Sequence, residues 1–243
     1  MLEYDGTGFS GWQQQSGRRT VEGELKRALR ELSGKDHKVY AAGRTDAGAH
    51  ALGQVVNFQW EGRIAVTRIA SALNGVLPED VSAVSAEAVD DGFHARYSAR
   101  WRRYRYRYFD RRARPALDRQ DCWWIVEGLD VEAMNEAAAL LVGRHDWTSF
   151  CSASEPEGQR TRELRSATVE RRGRFVELEL VAEGFLRGLA RGIAVALAEV
   201  GTGRRPPGWA GELLRARDRA AAARDKVKTA PAWGLTLMEV IYQ

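Results

Sequence analysis

Cysteine is the scarcest informative residue, and its shortage closes off two classes at once. Cys122 and Cys151 are the only two in 243 residues, too few for a disulfide framework or a thiolate zinc site. The four histidines, at 37, 50, 94 and 145, have no metal-ligand spacing either, so no metal is expected. No apolar run reaches the roughly 18 residues that a membrane-spanning helix requires. The opening Met1-Leu2-Glu3-Tyr4-Asp5-Gly6 lacks the basic and apolar regions of a secretion signal, and no P-loop occurs. These absences lead to the expectation of a soluble cytoplasmic protein without membrane, metal or cofactor. What remains is an ordinary globular composition, 44% hydrophobic and 29% charged, long enough for one large domain or two small ones.

Lysine is also rare. Five lysines stand against 32 arginines, and the net charge is only +4. A GC-rich coding bias, which the abundant alanine supports, accounts for the preference but not for its clustering. From Arg96 to Arg114 nine arginines face a single acid, Asp110, which is +8 over 19 residues and leaves the rest of the chain at −4. Such a stretch is an electrostatic footprint for a polyanion.

Periodicity gives the elements. Thr20 is placed to cap a helix with Val21, Leu25, Ala28, Leu29 and Leu32 on one side, ending at Gly34. Strands are expected at Val39–Ala42, Gln54–Trp60 and 81–88, with a helix over 66–75 between the last two. The segment 101–109 alternates most cleanly. Asp130 caps a further helix running toward Gly143, and Arg172-Gly173-Arg174 turns a hairpin between 167–170 and 175–182. A long apolar helix from about Phe185 to Val200, a short one after Pro206-Pro207 with Trp209, Leu213 and Leu214 inward, and a strand over Leu235–Tyr242 complete the pattern. Residues 152–162 form the best candidate for a mobile loop. The fold class expected is α+β, with two split-βαβ halves (ferredoxin- or RRM-like) sharing a largely antiparallel sheet, helices on one face and a central cleft. The halves are 1–99 and 100–243.

Gly43-Arg44-Thr45-Asp46-Ala47-Gly48-Ala49-His50 lies between two of these strands, with glycines on both sides of a lone acid. Glycines let backbone approach a ligand closely or adopt positive φ, and an aspartate there commonly does no more than satisfy turn amides. Four other motifs accompany it: Tyr4-Asp5-Gly6-Thr7-Gly8-Phe9-Ser10-Gly11-Trp12-Gln13, Phe93-His94-Ala95-Arg96-Tyr97, Arg103-Tyr104-Arg105-Tyr106, and Phe185-Leu186-Arg187-Gly188-Leu189-Ala190-Arg191. In this order and spacing, over essentially the whole chain, they resemble the tRNA pseudouridine synthase A family. Two positions depart from the family pattern: Leu189 stands where Met is usual and Gly192 where Asn is usual. The strand before Tyr4 is also reduced to a stub.

The resemblance implies isomerisation of uridine to pseudouridine in the anticodon stem-loop of tRNA, around positions 38, 39 and 40, with no cofactor. It implies a homodimer with the RNA across both subunits. It assigns Asp46 as the catalytic residue, Tyr104 to the target base, Arg44 to nucleotide flipping, and Arg191 to a place beside the acid. The chemistry suits one ionised carboxylate near the sugar, because a C1′–N1 bond breaks, the base turns and a C1′–C5 bond forms. A guanidinium close by opposes protonation of a buried carboxylate. The flipped base costs a few kcal/mol to extrude, and Tyr104 is the aromatic expected to receive it. Tyr106 and Tyr108, on the same strand face, are expected in the core. Phe93, His94, Ala95, Arg96, Tyr97 and Arg112 are expected to contact RNA, with Arg111 and Arg114 as further phosphate contacts. Arg187 and Arg191 are expected one turn apart on the long helix. His50 is read as structural, and Cys151 as a buried thiol. The main rival is a non-catalytic RNA-binding protein of RRM-like architecture, and a second is an RNA glycosidase, which ordinarily needs two carboxylates.

Overall fold

The computed structural model describes residues 1–219 and 229–243. The first helix, α1 (Val21–Ser33), forms where its local signals dictate. Thr20 sits in extended backbone and accepts from the Gly23 amide, Glu22 and Glu24 occupy the first turn, and Gly34 closes the helix at φ 74. Its buried stripe is Val21, Leu25, Ala28 and Leu29. Helix α2 (Val66–Asn74) buries Ile69 and Leu73 in the same way.

The described chain divides into two compact units, Met1–Arg100 with Thr236–Gln243, and Trp101–Leu235. In the first, β1 (Leu2–Tyr4), β3 (His50–Gln54), β5 (Val81–Ala83) and β11 (Leu235–Ile241) line up in the order β5-β1-β3-β11. Pairings are antiparallel except β3 with β11, which is parallel. That parallel pairing is why the end of the chain groups with its beginning. Short though it is, β1 is hydrogen-bonded on both sides. The pair β2 (Tyr40–Ala41) and β4 (Val56–Asn57) forms a separate two-stranded sheet.

The strand expected over Gln54–Trp60 is thus two strands, and the first of them begins at His50. His-Ala-Leu-Gly-Gln has poor strand propensity, and tertiary packing overrides it. A side chain at Gly53 would lie 2.5 Å from the carbonyl oxygen of Met238 on β11, so glycine is what lets the two strands approach.

In the second unit β6 (Trp101–Asp110), β7 (Trp123–Ile125), β8 (Gly143–Asp146), β9 (Thr161–Arg172) and β10 (Phe175–Ala182) run in the order β7-β6-β10-β9-β8. All pairs are antiparallel except β6 with β7. The architecture is mixed α/β with a largely antiparallel sheet, as expected. Helices α3 (Val131–Ala139), α4 (Leu189–Gly201) and α5 (Gly208–Ala216) complete the unit, with Trp209, Leu213 and Leu214 buried on α5.

Alternation along β6 separates two chemistries. Tyr104, Tyr106 and Tyr108 are buried on one face. The Tyr106 hydroxyl donates to the Pro231 carbonyl at 2.9 Å, and that of Tyr108 to the Ala194 carbonyl on α4 at 2.8 Å. These partners make Tyr106 and Tyr108 core residues with satisfied hydroxyls, as expected. Arg103, Arg105 and Arg107 lie on the other face. There Glu179 is 3.5 Å from Arg103, and Glu177 is 2.7 Å from Arg107 and 3.9 Å from Arg105. Arg107 also binds Asp121.

Three boundaries differ from expectation. Helix α3 ends at Ala139, and Gly143, expected to stop it, opens β8 at φ 122. Strand β9 starts at Thr161, so the last two residues of the expected mobile loop belong to it. The rest of that loop is tied down: Ser152 donates to the Arg187 carbonyl, and the Glu155 carboxylate accepts from the Arg187 amide. Helix α4 begins at Leu189, after Gly188 in the left-handed region at φ 77. Arg187 therefore precedes the helix, and the expected Arg187–Arg191 pair on one helical face does not exist.

Candidate active site

The acid singled out by its glycines sits in a turn that is gripped from several sides. The Ala49 amide donates to the Asp46 carbonyl at 3.1 Å, and Gly48, two residues after Asp46, has φ 83. Positive φ at that third position is the type II arrangement, which asks for glycine there. Asp46 opens the turn and is half-buried.

Three contacts hold the approach to the turn. The buried Tyr4 hydroxyl and Thr45 Oγ1 lie 2.8 Å apart, the Trp12 amide donates to the Thr45 carbonyl at 3.1 Å, and Gln54 Nε2 donates to the Gly43 carbonyl at 2.8 Å. Burial pushes the Tyr4 hydroxyl up to about 12, so it stays a neutral partner at working pH. On the far side the Gly48 amide donates to the Phe9 carbonyl at 3.3 Å.

The spacing Gly6, Gly8, Gly11 has the form G-x-G-x-x-G, but it opens no long helix and follows only a three-residue strand. It is therefore not the dinucleotide-binding fingerprint. Two of its glycines clear room for the acid's turn instead. A Cβ on Gly6 would overlap the carbonyl of Ala49. One on Gly11, which has φ 92, would lie 2.8 Å from the Thr45 carbonyl oxygen and 3.3 Å from the Asp46 carbonyl carbon.

His50 closes the arrangement. Its Nδ1 accepts from the Gly6 amide at 3.1 Å and lies 3.1 Å from Asp5 Oδ1. Burial works to raise the Asp5 carboxyl, but the Thr7 hydroxyl and amide and nearby His50 outweigh it and hold the group below the usual carboxylate range. These contacts tie His50 to the Gly6 turn. Gly6, Gly11, Tyr4 and Gln54 were legible only as motif letters or not at all; nothing local marks Gln54 as a partner of Gly43.

Arg44, next to the acid's turn, is exposed. In the other motif of this unit, Phe93 packs on Tyr242 at 5.0 Å and Ala95 is fully buried, whereas Arg96 and Tyr97 are exposed. Phe93 and Ala95 anchor the turn, and Arg96 and Tyr97 present its surface.

In the second unit, Tyr104 is buried with its ring edge-on to Phe185, 4.7 Å between centroids. Arg191 lies in the first turn of α4, where its Nε donates to the Ala230 carbonyl at 2.6 Å. The Ala230 amide returns a bond to the Arg191 carbonyl at 3.3 Å. Arg112 is exposed, as are Arg111 and Arg114. Gly192 lets α4 press against the segment before it, because a Cβ there would overlap the Phe150 carbonyl oxygen. That contact explains why this chain carries no larger residue at the position.

Cys122 and Cys151 are buried, and burial raises both thiols, Cys122 to about 11. They are protonated core groups. Among the described residues no group of three or more His, Cys, Asp or Glu is placed to hold a metal ion. No helix there is long and apolar enough to cross a membrane.

Comparison with known proteins converges on one family. The sequence profile described as tRNA pseudouridine synthase matches residues 1–98 and 137–243. Among curated proteins, tRNA pseudouridine synthase A of Geobacillus kaustophilus is 41% identical over 244 aligned positions, covering 100% of this chain and 93% of that one. The proteins of the same name from Moorella thermoacetica and Alcanivorax borkumensis are 42% and 43% identical, each over 99% of this chain and over 97% and 89% of their own. A match of this length and identity is not confined to the motifs, and it shows that the chain belongs to the tRNA pseudouridine synthase family.

Proposed function

We propose that this chain isomerises uridine to pseudouridine in tRNA, in the anticodon stem-loop around positions 38, 39 and 40. Asp46 is the catalytic residue of this reading. Tyr104, Arg44 and Arg191 hold the extruded nucleotide, and the 93–97 turn and Arg112 hold RNA backbone. The observation that carries it is the Asp46 turn, a carboxylate on a type II turn whose neighbours are clamped by Tyr4, Trp12, Gln54 and the two glycines. Fixing a nucleophile or base within a fraction of an ångström is what lets one acid do chemistry on a sugar. A non-catalytic RNA binder would have no use for so constrained an acid. The enzyme works as a homodimer in the cytoplasm, where tRNA is matured.

The test incubates wild type and Asp46→Asn with unmodified tRNA and maps pseudouridine by sequencing. Wild type should modify the stem-loop with no change in RNA mass and with release of C5-bound hydrogen, while Asp46→Asn should bind tRNA and leave uridine intact. Base loss would identify a glycosidase instead. Arg191→Ala should lower turnover far more than tRNA affinity, and equal losses would remove Arg191 from the reacting site.

A further inference from the structure

Phe185 opens the motif that leads into α4, yet the proposed reaction gives it no task. Its ring stands edge-on to Tyr104, at an interplanar angle of 70° and 4.7 Å between centroids. An edge-to-face contact is directional, so it fixes the tilt of the ring it meets. Phe185 itself lies outside regular structure, in the connection between the end of β10 at Ala182 and the start of α4 at Leu189. The position of its ring is therefore set by how that connection is anchored.

One anchor is Glu183. Its amide donates to the Glu163 carbonyl on β9 at 3.1 Å, and its carboxylate accepts from the Glu163 amide at 3.0 Å and from Arg144 on β8 at 3.1 Å. Its carbonyl accepts from Arg102 Nη1 on β6 at 2.6 Å. Arg102 pairs with Ala182 across the β6–β10 ladder and lies two residues before Tyr104, so both side chains leave the strand on the same face. It is only 7% exposed, and arginine is almost never buried without a partner. One guanidinium thus links the strand that carries Tyr104 to the connection that carries Phe185. The far end of the connection is tied as well: the Arg187 amide donates to the Glu155 carboxylate at 2.8 Å, and the Ser152 amide donates to the Arg187 carbonyl at 2.7 Å. Phe185 sits midway between the two anchors.

We propose that Arg102 is a positioning residue for the reaction: by holding the Glu183 carbonyl it keeps Phe185 edge-on against Tyr104, and so sets the ring that receives the target base. The inference rests on the reading of Tyr104 as the residue that meets that base, and it adds Arg102 and Phe185, which that reading does not employ. Arginine suits the task because its long stem crosses from strand to connection and its planar guanidinium, charged at any working pH, presents donors in a fixed geometry. Lysine keeps the charge but has a shorter reach and no planar fork. Arg102→Lys is therefore a mild perturbation aimed at the link itself.

The experiment incorporates fluorotyrosine and follows the Tyr104 fluorine resonance, assigned by its loss in Tyr104→Phe, through wild type, Arg102→Lys, Phe185→Leu and the double variant. Spectra are recorded well below the melting temperature of every variant, beside kcat and KM on unmodified tRNA. Phe185→Leu should shift the resonance by removing the neighbouring ring, and Arg102→Lys should shift it although that ring remains. In the double variant the resonance should sit where Phe185→Leu alone puts it. Each single variant should lower kcat about 3- to 10-fold, through a displacement of tenths of an ångström, with KM little changed. The double variant should lose no more than the poorer single, because both act through one ring. An unmoved Tyr104 resonance in Arg102→Lys, or losses that multiply in the double variant, would overturn the proposal. Tyr104→Leu separates that failure from one in the underlying reading. Wild-type kcat in Tyr104→Leu would sink the reading of Tyr104, whereas an inactive Tyr104→Leu beside wild-type kcat in both Arg102→Lys and Phe185→Leu would sink the positioning role alone.

Discussion

Gly11→Ala tests whether the acid's turn is positioned by the glycines that face it. Two penalties are built into that site. Gly11 has φ 92, and a side chain in left-handed backbone costs about 1–2 kcal/mol. The new Cβ would also stand 2.8 Å from the Thr45 carbonyl oxygen, 3.2 Å from the Ala47 nitrogen and 3.3 Å from the Asp46 carbonyl carbon. All three are backbone atoms and cannot swing away, so overpacking adds about 1–3 kcal/mol. Gly17 separates the two effects. It has φ 68 with nothing within 4 Å of its would-be Cβ, so Gly17→Ala carries only the first penalty.

At roughly 2–4 °C per kcal/mol for a chain of this size, Gly17→Ala should lower Tm by several degrees and leave turnover intact. Gly11→Ala should lower Tm further and, at a temperature where it is fully folded, reduce kcat by about 3- to 10-fold. The second loss follows because relieving the clash moves the Asp46 backbone by tenths of an ångström, and a 1 Å displacement is worth about 100-fold. Tritium release from C5-labelled tRNA at saturating substrate, beside thermal melts of both variants, gives the answer. Wild-type kcat in folded Gly11→Ala would refute the claim that this contact places the acid.

Further outcomes follow from other contacts. Tyr106→Phe and Tyr108→Phe each remove a hydroxyl bonded to a carbonyl (Pro231 and Ala194) and should each cost about 1–3 kcal/mol in denaturant unfolding, since a buried acceptor loses its partner. Asp110 accepts from Arg171 at 2.8 and 2.6 Å and from the Leu129 amide at 3.0 Å. Burial alone would raise its carboxyl, but those donors hold it below the usual range. Its folded value is then lower than its unfolded value of about 3.9, so its contribution is full at neutral pH and disappears as pH falls through the folded value. With Arg171 half exposed, that contribution is about 1 kcal/mol, and Asp110→Asn should flatten the loss of stability below about pH 4. Gly192→Ala sets two effects against each other: alanine gains about 1 kcal/mol in helix propensity, but its Cβ meets the Phe150 carbonyl. The clash should win, and a raised Tm would show that α4 has room to shift.

The elements legible from sequence were those whose determinants are local. Helix α1 has its cap, stripe and stop within fifteen residues, and β6 has an alternation that no other segment matches. Strand β8, Gly-Arg-His-Asp, has no apolar rhythm; it exists because β9 offers it a partner from Thr161 to Leu164. Strand β7 likewise depends on pairing with residues 108–110 of β6. The same division runs through the site. The glycines around Asp46 flagged the acid, but the Tyr4–Thr45 contact spans 41 residues and the Gln54–Gly43 bond depends on where β3 ends, and neither leaves a mark in local sequence.

Charge shows the division most sharply. Counted along the chain, residues 96–114 are a dense cationic block. Folding dissolves much of it, because β10 brings Glu177 and Glu179 into register with Arg107 and Arg105, and Asp121 binds Arg107. Arg102 is buried, donating to the Glu183 carbonyl at 2.6 Å. Burial and the adjacent Arg107 even depress the Arg105 guanidinium, the mark of a cation held for structure and not for solvent. The arginines left at the surface are those outside the strand, Arg96 and Arg100 before it and Arg111, Arg112 and Arg114 after it. Neutral substitutions at Arg103, Arg105 and Arg107 should therefore weaken folding, while those at Arg96, Arg100, Arg111, Arg112 and Arg114 should lower the salt dependence of RNA binding.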